Sequence, residues 1–391
     1  MRKTGAVLVA LGLVIGAVGV LWGPMAVPPL TKIPTNVSGT IDLSGTYTSF
    51  VDQSTGAPLA APQVVPLTVR RTITGQPDLS TSDVVVVTEE LATWIGGQPS
   101  TVRYQYALDR STAANVDNPN AWAYSSSAPA NRAGSYSVTM APGFSTSQTY
   151  QSWSEDLGKS VPLTYVSGKD QTIDGVALNL WTQTFTDQPL APAVIAADNL
   201  PTSIPFATFA AQLKAAGIDL AAAIASIGLT PAELAAVQGM FASRIPLSYT
   251  ASGVNNILSD PVTGAPVDVL QENVTYSSKL DLSAIAAGVA PILAAHQSSP
   301  AVAQLAPMLA QLTTLKPQKL FTLDAKSTPD SITSNAASAQ SNGRLLGFVR
   351  TVVPLGLGAL AVILMIAGLL LYRRGNTARR PSLSVSSGVA A

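Results

Sequence analysis

Two adjacent carboxylates beside an aromatic ring, in Trp153-Ser154-Glu155-Asp156, are the first place to look for chemistry in this chain. Paired carboxyl groups next to an indole suit acid–base work or the stacking of a sugar. On a strand, however, neighbouring side chains point to opposite faces, so the spacing predicts that Glu155 and Asp156 diverge. Asp170 and Asp174 flank a hairpin and read as turn residues. Gly143-Phe144-Ser145-Thr146-Ser147 departs from the nucleophile elbow at its last glycine. His296, the sole histidine, closes an apolar helical stretch, where its charge would suit the negative helix end.

The absence of cysteine excludes disulfides, thiolate metal sites and cysteine nucleophiles. One histidine excludes His-pair metal sites and leaves a single candidate for a Ser-His-Asp triad. There is no phosphate-binding loop, dinucleotide fingerprint or calcium-binding loop. Asn36-Val37-Ser38 and Asn273-Val274-Thr275 match the glycosylation sequon, a pattern that chance often produces. The residues therefore point to a protein that is not an enzyme, with no catalytic, cofactor-binding or metal-binding side chains.

The elements that would carry these residues are organised around two apolar runs. Thr351 to Tyr372 contains no charge and is followed by Arg373, Arg374, Arg379 and Arg380. A helix of that length reaches about 33 Å at 1.5 Å per residue, enough for a hydrocarbon core of roughly 30 Å. Arg2 and Lys3 precede a second apolar run, Gly5 to Val27. A cleavable leader and an uncleaved anchor both fit that run. Its length, the lack of an A-x-A site and the prolines at 24, 28 and 29 favour the anchor. Gly12 and Gly16 give it a small-xxx-small pattern that could pack against the other span.

Charge agrees with this layout. The chain of 391 residues is 47% hydrophobic, 11% charged and of zero net charge. All 22 acidic residues lie between Asp42 and Asp330, and only 15 of the 22 basic residues fall between Pro28 and Leu345, leaving that segment seven units negative. An acidic segment argues against nucleic acid as a partner. Basic residues before the first run and after the second place both ends in the cytoplasm by the positive-inside rule. The expected order is a cytoplasmic start at 1–4, spans at 5–27 and 351–372, an extracytoplasmic domain at 28–326, a linker at 327–345 and a basic cytoplasmic tail at 373–391.

Within the domain the fold class is α+β: an antiparallel sheet or barrel with helical insertions. Val102, Tyr104, Tyr106 and Leu108 alternate with polar partners, as on a half-buried strand. Val84 to Val87 is a β-branched run, and further strands are expected at Val64 to Ile73, Ser135 to Met140, Val161 to Val166, Val176 to Thr184, Leu247 to Ser252, Val267 to Tyr276 and Lys319 to Leu323. Helical insertions are expected near 202–244 and 281–315. Thr230-Pro231-Ala232-Glu233 opens a helix as a capping box with proline at its first position. These helices are unusually apolar, consistent with packing on the sheet, contact with lipid or the lining of an apolar cavity.

Lys32-Ile33-Pro34-Thr35, Ser147 to Trp153, Val166-Ser167-Gly168 through Asp174-Gly175-Val176, and Asp260-Pro261-Val262-Thr263-Gly264-Ala265-Pro266-Val267-Asp268 occur in an order that resembles one family, the actinobacterial PorA-family porins, a domain family of unknown function. The likeness covers nearly the whole chain apart from the Ala-rich region 201–244. It implies a membrane protein of the cell envelope and, by its label, a porin. A porin barrel needs transmembrane strands with an outward apolar band, whereas this chain places its apolar runs at its ends. The layout is similar in architecture to class B scavenger receptors, whose β-rich ectodomain encloses a hydrophobic tunnel. The leading expectation is a cell-envelope protein whose ectodomain binds or passes a lipid or other apolar ligand beside the bilayer. A scaffold that binds partner envelope proteins and a porin-like channel component are the alternatives.

Overall fold

A computed structural model describes residues 2–52, 56–125, 128–129, 131–215, 219–300, 302–303 and 316–377. The chain divides into two compact units, 34–337 and the pair of terminal segments 1–33 and 338–391.

In the larger unit, β1 (Ser38–Val51), β2 (Pro58–Gly75), β3 (Val84–Ile95) and β4 (Gln98–Asp109) form a meander, followed by two-residue strands β5 (Trp122–Ala123) and β6 (Ala128–Pro129). Then come β7 (Tyr150–Ser154), β8 (Lys159–Tyr165), β9 (Gln171–Ile173), β10 (Val176–Pro189), β11 (Ser203–Pro205), β12 (Arg244–Ser259), β13 (Pro266–Leu280) and β14 (Gln318–Ser327). The sheet order is β6-β5-β4-β3-β2-β1-β14-β13-β12-β10-β8-β7, with β9 on β10 and β11 on β12. Every pairing between these strands is antiparallel.

An irregular seam links the two edges of this curled sheet. Val116 N–H donates to Ala107 O of β4 at 2.9 Å, Asn115 N–H to Ser135 O at 2.8 Å, and Trp153 N–H of β7 to Tyr136 O at 2.8 Å. Single backbone bonds thus connect β4, the irregular segment and β7 between the two ends of the sheet. The strand expected at Ser135 to Met140 does not form: Tyr136 alone bridges to β7, and the chain bends at residues 137–138. Beyond it the chain runs to the β12–β13 turn, where Met140 N–H donates to Gly264 O at 3.0 Å.

The outward face is polar. Thr46 and Thr48, Thr68 and Arg70, Asp324 and Lys326, Asn273 and Thr275 occupy outward positions on β1, β2, β14 and β13. Arg70 pairs across strands with Asp42 at 2.7 Å, and Arg103 with Glu90 at 2.7 Å. Without a continuous apolar band, this surface is made for water rather than for acyl chains.

Helices gather where β12 and β13 extend past the barrel. These are α2 (Pro192–Ala197), α3 (Phe206–Ala215), α4 (Leu220–Ala225), α5 (Pro231–Phe241) and α6 (Ser283–Ala295). Phe206, Phe209, Leu213, Ile227 and Val302 bury against Ile245 and Leu282 at the ends of that hairpin. The expected helical insertions are present, and part of their apolar surface forms this small core, while Leu234 of α5 stays exposed; residues 304–315 of the second insertion lie outside the described residues. The capping box at α5 forms as expected, with Thr230 and Glu233 each bonding the other's backbone N–H.

The expected linker at 327–345 is instead a helix, α7 (Pro329–Gly347). Its start repeats the chemistry of α5: Ser331 N–H donates to Thr328 Oγ1 at 3.3 Å, and Pro329 stands at the first position. The Ser331 hydroxyl in turn accepts from Asp42 N–H at 3.1 Å. In the smaller unit, α1 (Arg2–Thr31) and α8 (Val353–Thr377) pack on each other, and a five-residue π turn, Phe348–Val352, precedes α8. Among the described residues one helical run, Pro329–Leu371, is long and apolar enough to cross a membrane; the apolar part of α1, Val7–Trp22, is shorter than that criterion. The tail beyond Thr377 lies outside the described residues.

Candidate functional site

The inward face of the barrel holds charges in phase with its apolar residues. On β2, Leu67, Val69, Arg71 and Ile73 share one face; on β3 it is Val85, Val87, Glu89 and Leu91. Arg71 and Glu89 therefore meet inside the barrel, where they form an ion pair. Tyr106 of β4 donates its hydroxyl proton to the other Glu89 oxygen at 2.6 Å. Arg71 also reaches the seam, donating to Ser137 O at 3.0 Å.

A second pair lies beside the first. Arg132 on the seam donates to Glu155 at 2.7 Å and to the carbonyls of Gln105 and Trp122 at 3.1 and 3.3 Å. Its guanidinium carbon stands 4.4 Å from the centre of the Tyr106 ring, a cation–π contact. Strand β7 ends at Ser154, so Glu155 and Asp156 lie in a turn and escape strand alternation. Both turn toward the interior, contrary to the divergence expected of neighbours on a strand. Tyr276 of β13 donates its hydroxyl to Asp156, and Glu272 lies on the same face of β13, level with Asn255 of β12.

Burial sets the protonation of these groups. It pushes the carboxyl pKa of Glu155 up, opposed by Arg132. It raises Asp156 against the help of the Tyr276 hydroxyl, and raises Glu272 against the attraction of Arg71. Arg71 is buried too, but Glu89 outweighs the desolvation and holds it charged. Tyr104 and Tyr106 are kept neutral, chiefly by burial.

Several charged groups of this interior keep some exposure. Arg71 keeps 26% of its side-chain surface although strands surround it, and Asp156, Glu272, Asn255, Val274 and Leu323 are only half-buried. Four carboxyl groups (Glu89, Glu155, Asp156, Glu272) share this inward cluster with two guanidiniums (Arg71, Arg132). One part of the lumen wall is aromatic: Tyr47, Phe321 and Tyr276 stack with ring centres 5.3 and 4.6 Å apart.

The raised carboxyl groups give a pH dependence whose sign follows from linkage. Between the ordinary carboxylate pKa near 4 and the raised folded values, the folded chain holds protons that the unfolded chain has released. Stability therefore falls as pH rises through that window. Carboxylates held low, Glu233 among them, act in the opposite sense but below it. Thermal unfolding of the full chain in detergent is expected to have a higher midpoint at about pH 5 than at about pH 8, and Glu272→Gln is expected to shrink the difference. An equal midpoint at both values would refute the assignment.

The other expected residues have structural roles. His296 ends α6 and donates from Nε2 to Glu233 at 3.1 Å, tying α6 to α5. Glu233 is held at about 2, first by the Thr230 backbone N–H, then by the Thr230 hydroxyl and His296. Asp170 accepts from Tyr165 at 2.6 Å and from Asn179 at 3.1 Å, and Asp174 occupies a left-handed turn position, φ 48°. Phe144 of the degenerate elbow packs on Trp181, ring centres 5.1 Å apart. Among the described residues no group of three His, Cys, Asp or Glu side chains could hold a metal ion. A groove of about 620 Å³ beside α2 has Arg244 in its lining, but that guanidinium is committed to Ser203 by two bonds of 2.8 Å.

Arg71, Glu89, Arg132 and Glu272 were not among the residues expected to matter. The available signal was a charge falling in register with apolar residues at period two, as in Leu67-x-Val69-x-Arg71-x-Ile73.

A family model described as Porin PorA matches residues 4–370. No curated protein matches the chain. Among solved structures, a porin-like protein from Bacteroides uniformis ATCC 8492 aligns at 10% identity over 63% of this chain and 98% of its own, with a TM-score of 0.12, a likeness that carries no argument about fold or function.

Proposed function

The chain belongs to the Porin PorA family, and on that premise we propose that it is an envelope membrane protein whose barrel takes a hydrophilic, cationic solute into its lumen. The observation that supports this most is the mixed ionic cluster around Arg71, Glu89, Arg132 and Glu155, open toward Asp156 and Glu272. Charged groups in a partly exposed interior favour water and polar solutes over hydrocarbon. The polar outer face favours a barrel held in water by the membrane helices. The positive-inside pattern of the two termini supports a two-helix anchor with both ends cytoplasmic and the barrel outside. In this reading the protein has no catalytic role.

A second reading, an apolar or lipid ligand, draws support from the Tyr47–Phe321–Tyr276 stack on the lumen wall. Thermal unfolding of the full chain in detergent separates the two. Spermidine is expected to raise the midpoint, and Asp156→Asn with Glu272→Gln is expected to abolish the rise. A rise with oleate and none with spermidine would favour the apolar ligand. Planar bilayers test passage across the membrane: cation-selective conductance by clean protein supports a channel, and its absence confines the protein to binding.

A further inference from the structure

The π turn before α8 contains an orphaned carbonyl. In its register each N–H bonds the carbonyl five residues back, as Val353 N–H does to Phe348 O. The next bond would run from residue 354 to Val349 O, but residue 354 is proline and has no N–H. The missing donor comes from the other helix: the Trp22 indole Nε1–H donates to Val349 O at 3.0 Å.

Beyond this bond the two helices approach closely through three glycines of α1. A Cβ at Gly12 would stand 2.8 Å from Met365 Cγ and 2.9 Å from Ala361 O; at Gly19 it would be 3.3 Å from Leu357 Cβ. Ala361, facing this seam, is 2% exposed. Leu355, Ile363, Ile366 and Leu370 of α8 are exposed. Small residues at the contact and large apolar ones away from it are the arrangement expected of helices paired in lipid.

We propose that α1 is a permanent membrane partner of α8, latched to it by the Trp22 indole, which replaces the amide that Pro354 lacks. The proposal rests on the two-helix anchor above and assigns it a specific contact. Val349 lies two residues before the apolar run that opens at Thr351, at the boundary of the span, where the indole supplies its carbonyl with a bond that would otherwise have to come from water. A cleaved leader would leave Val349 O bare and the Ala361 face uncovered.

The absence of native cysteine permits a direct test in membranes containing the full chain. A Cβ at Gly16 lies 3.5 Å from Ala361 Cβ, within the range for a disulfide. Gly16→Cys with Ala361→Cys is expected to cross-link under mild oxidation, in a chain whose intact mass includes α1. Trp22→Phe, which keeps the ring and removes the N–H, is expected to slow cross-linking roughly threefold at limiting oxidant, the scale of one hydrogen bond between membrane helices. In a Pro354→Ala background, where residue 354 supplies its own amide, Trp22→Phe is expected to have no effect. An undiminished effect there would overturn the latch, and no cross-link in a chain retaining α1 would overturn the pairing. A mature mass lacking α1 would overturn its permanence and the two-helix anchor, leaving the spermidine test of the lumen unaffected.

Discussion

Replacing Arg132 by methionine is expected to destabilise the barrel by about 3–5 kcal/mol, the cost of breaking a buried ion pair from one side. The Arg132 side chain is 1% exposed and Glu155 17%, so the carboxylate left behind would have little access to water. The variant also loses donors to Gln105 O and Trp122 O, two carbonyls that the irregular seam leaves to a side chain. Methionine matches only the aliphatic stem of arginine, so the space of the buried guanidinium adds a cavity contribution to the loss. Urea unfolding of the full chain in detergent, with the midpoint and slope both followed, measures the loss. The penalty is expected to shrink as pH falls, because burial already raises the Glu155 carboxyl pKa and protonation removes its charge. Adding Glu155→Gln is expected to recover part of the stability at neutral pH. A loss that ignores both pH and the second substitution would mean that Arg132 acts through its packing alone.

The second large effect is expected at Gly264. This residue has φ +77°, and a Cβ there would lie 2.1 Å from Met140 O, part of the backbone that crosses from the seam. Neither backbone segment is free to retreat. Gly264 O accepts from Met140 N–H and, at 2.9 Å, from the Thr139 hydroxyl, while Asp260 accepts from Val262 N–H, Thr263 N–H and the Thr263 hydroxyl. Gly264→Val is expected to cost about 3 kcal/mol or more, combining left-handed strain with the clash. Gly143 provides the control. It has nearly the same backbone, φ +74°, with nothing within 4 Å of its Cβ position. Gly143→Ala is expected to cost only about 1 kcal/mol. Similar losses at the two sites in urea unfolding would show that backbone strain, rather than the approach of Met140, governs the turn.

The sequence made the strands legible wherever one face is polar and the other apolar. Val102 to Leu108 alternates and is part of β4; the capping box at Thr230 opens α5. It was less clear about the seam, because Asn115, Val116 and Ser135–Tyr136 are held by single backbone bonds and by side chains such as Arg132 rather than by a repeating ladder. Thr328-Pro329-Asp330-Ser331 offered the same opening chemistry as Thr230-Pro231, but the Ser and Asn that follow have weak helix propensity and read as linker. The helix there is capped at its start by Thr328 and docked on β1 through Asp42. For the lumen, period-two alternation misled at Glu155 and Asp156, because β7 stops one residue before them. The charges on the inward face were not legible from average composition, because a few residues in register with apolar neighbours place them there. Part of the apolarity of the inserted helices goes into their own core around Phe206 and Ile245.

The pairing of β1 with β14, where Leu43 faces Ser327, imposes an order on the life of the nascent chain. The first strand of the barrel waits for the last, so the ring cannot close until almost the whole domain has left the ribosome. Such long-range pairing makes for slow folding and a long interval with unpaired strand edges. The Thr-rich, charged outer faces make those waiting strands poor templates for aggregation. Helix α7 begins two residues after β14 ends and leads into the apolar run of α8. Closure of the ring and the emergence of that long apolar run are therefore successive moments in the making of one chain.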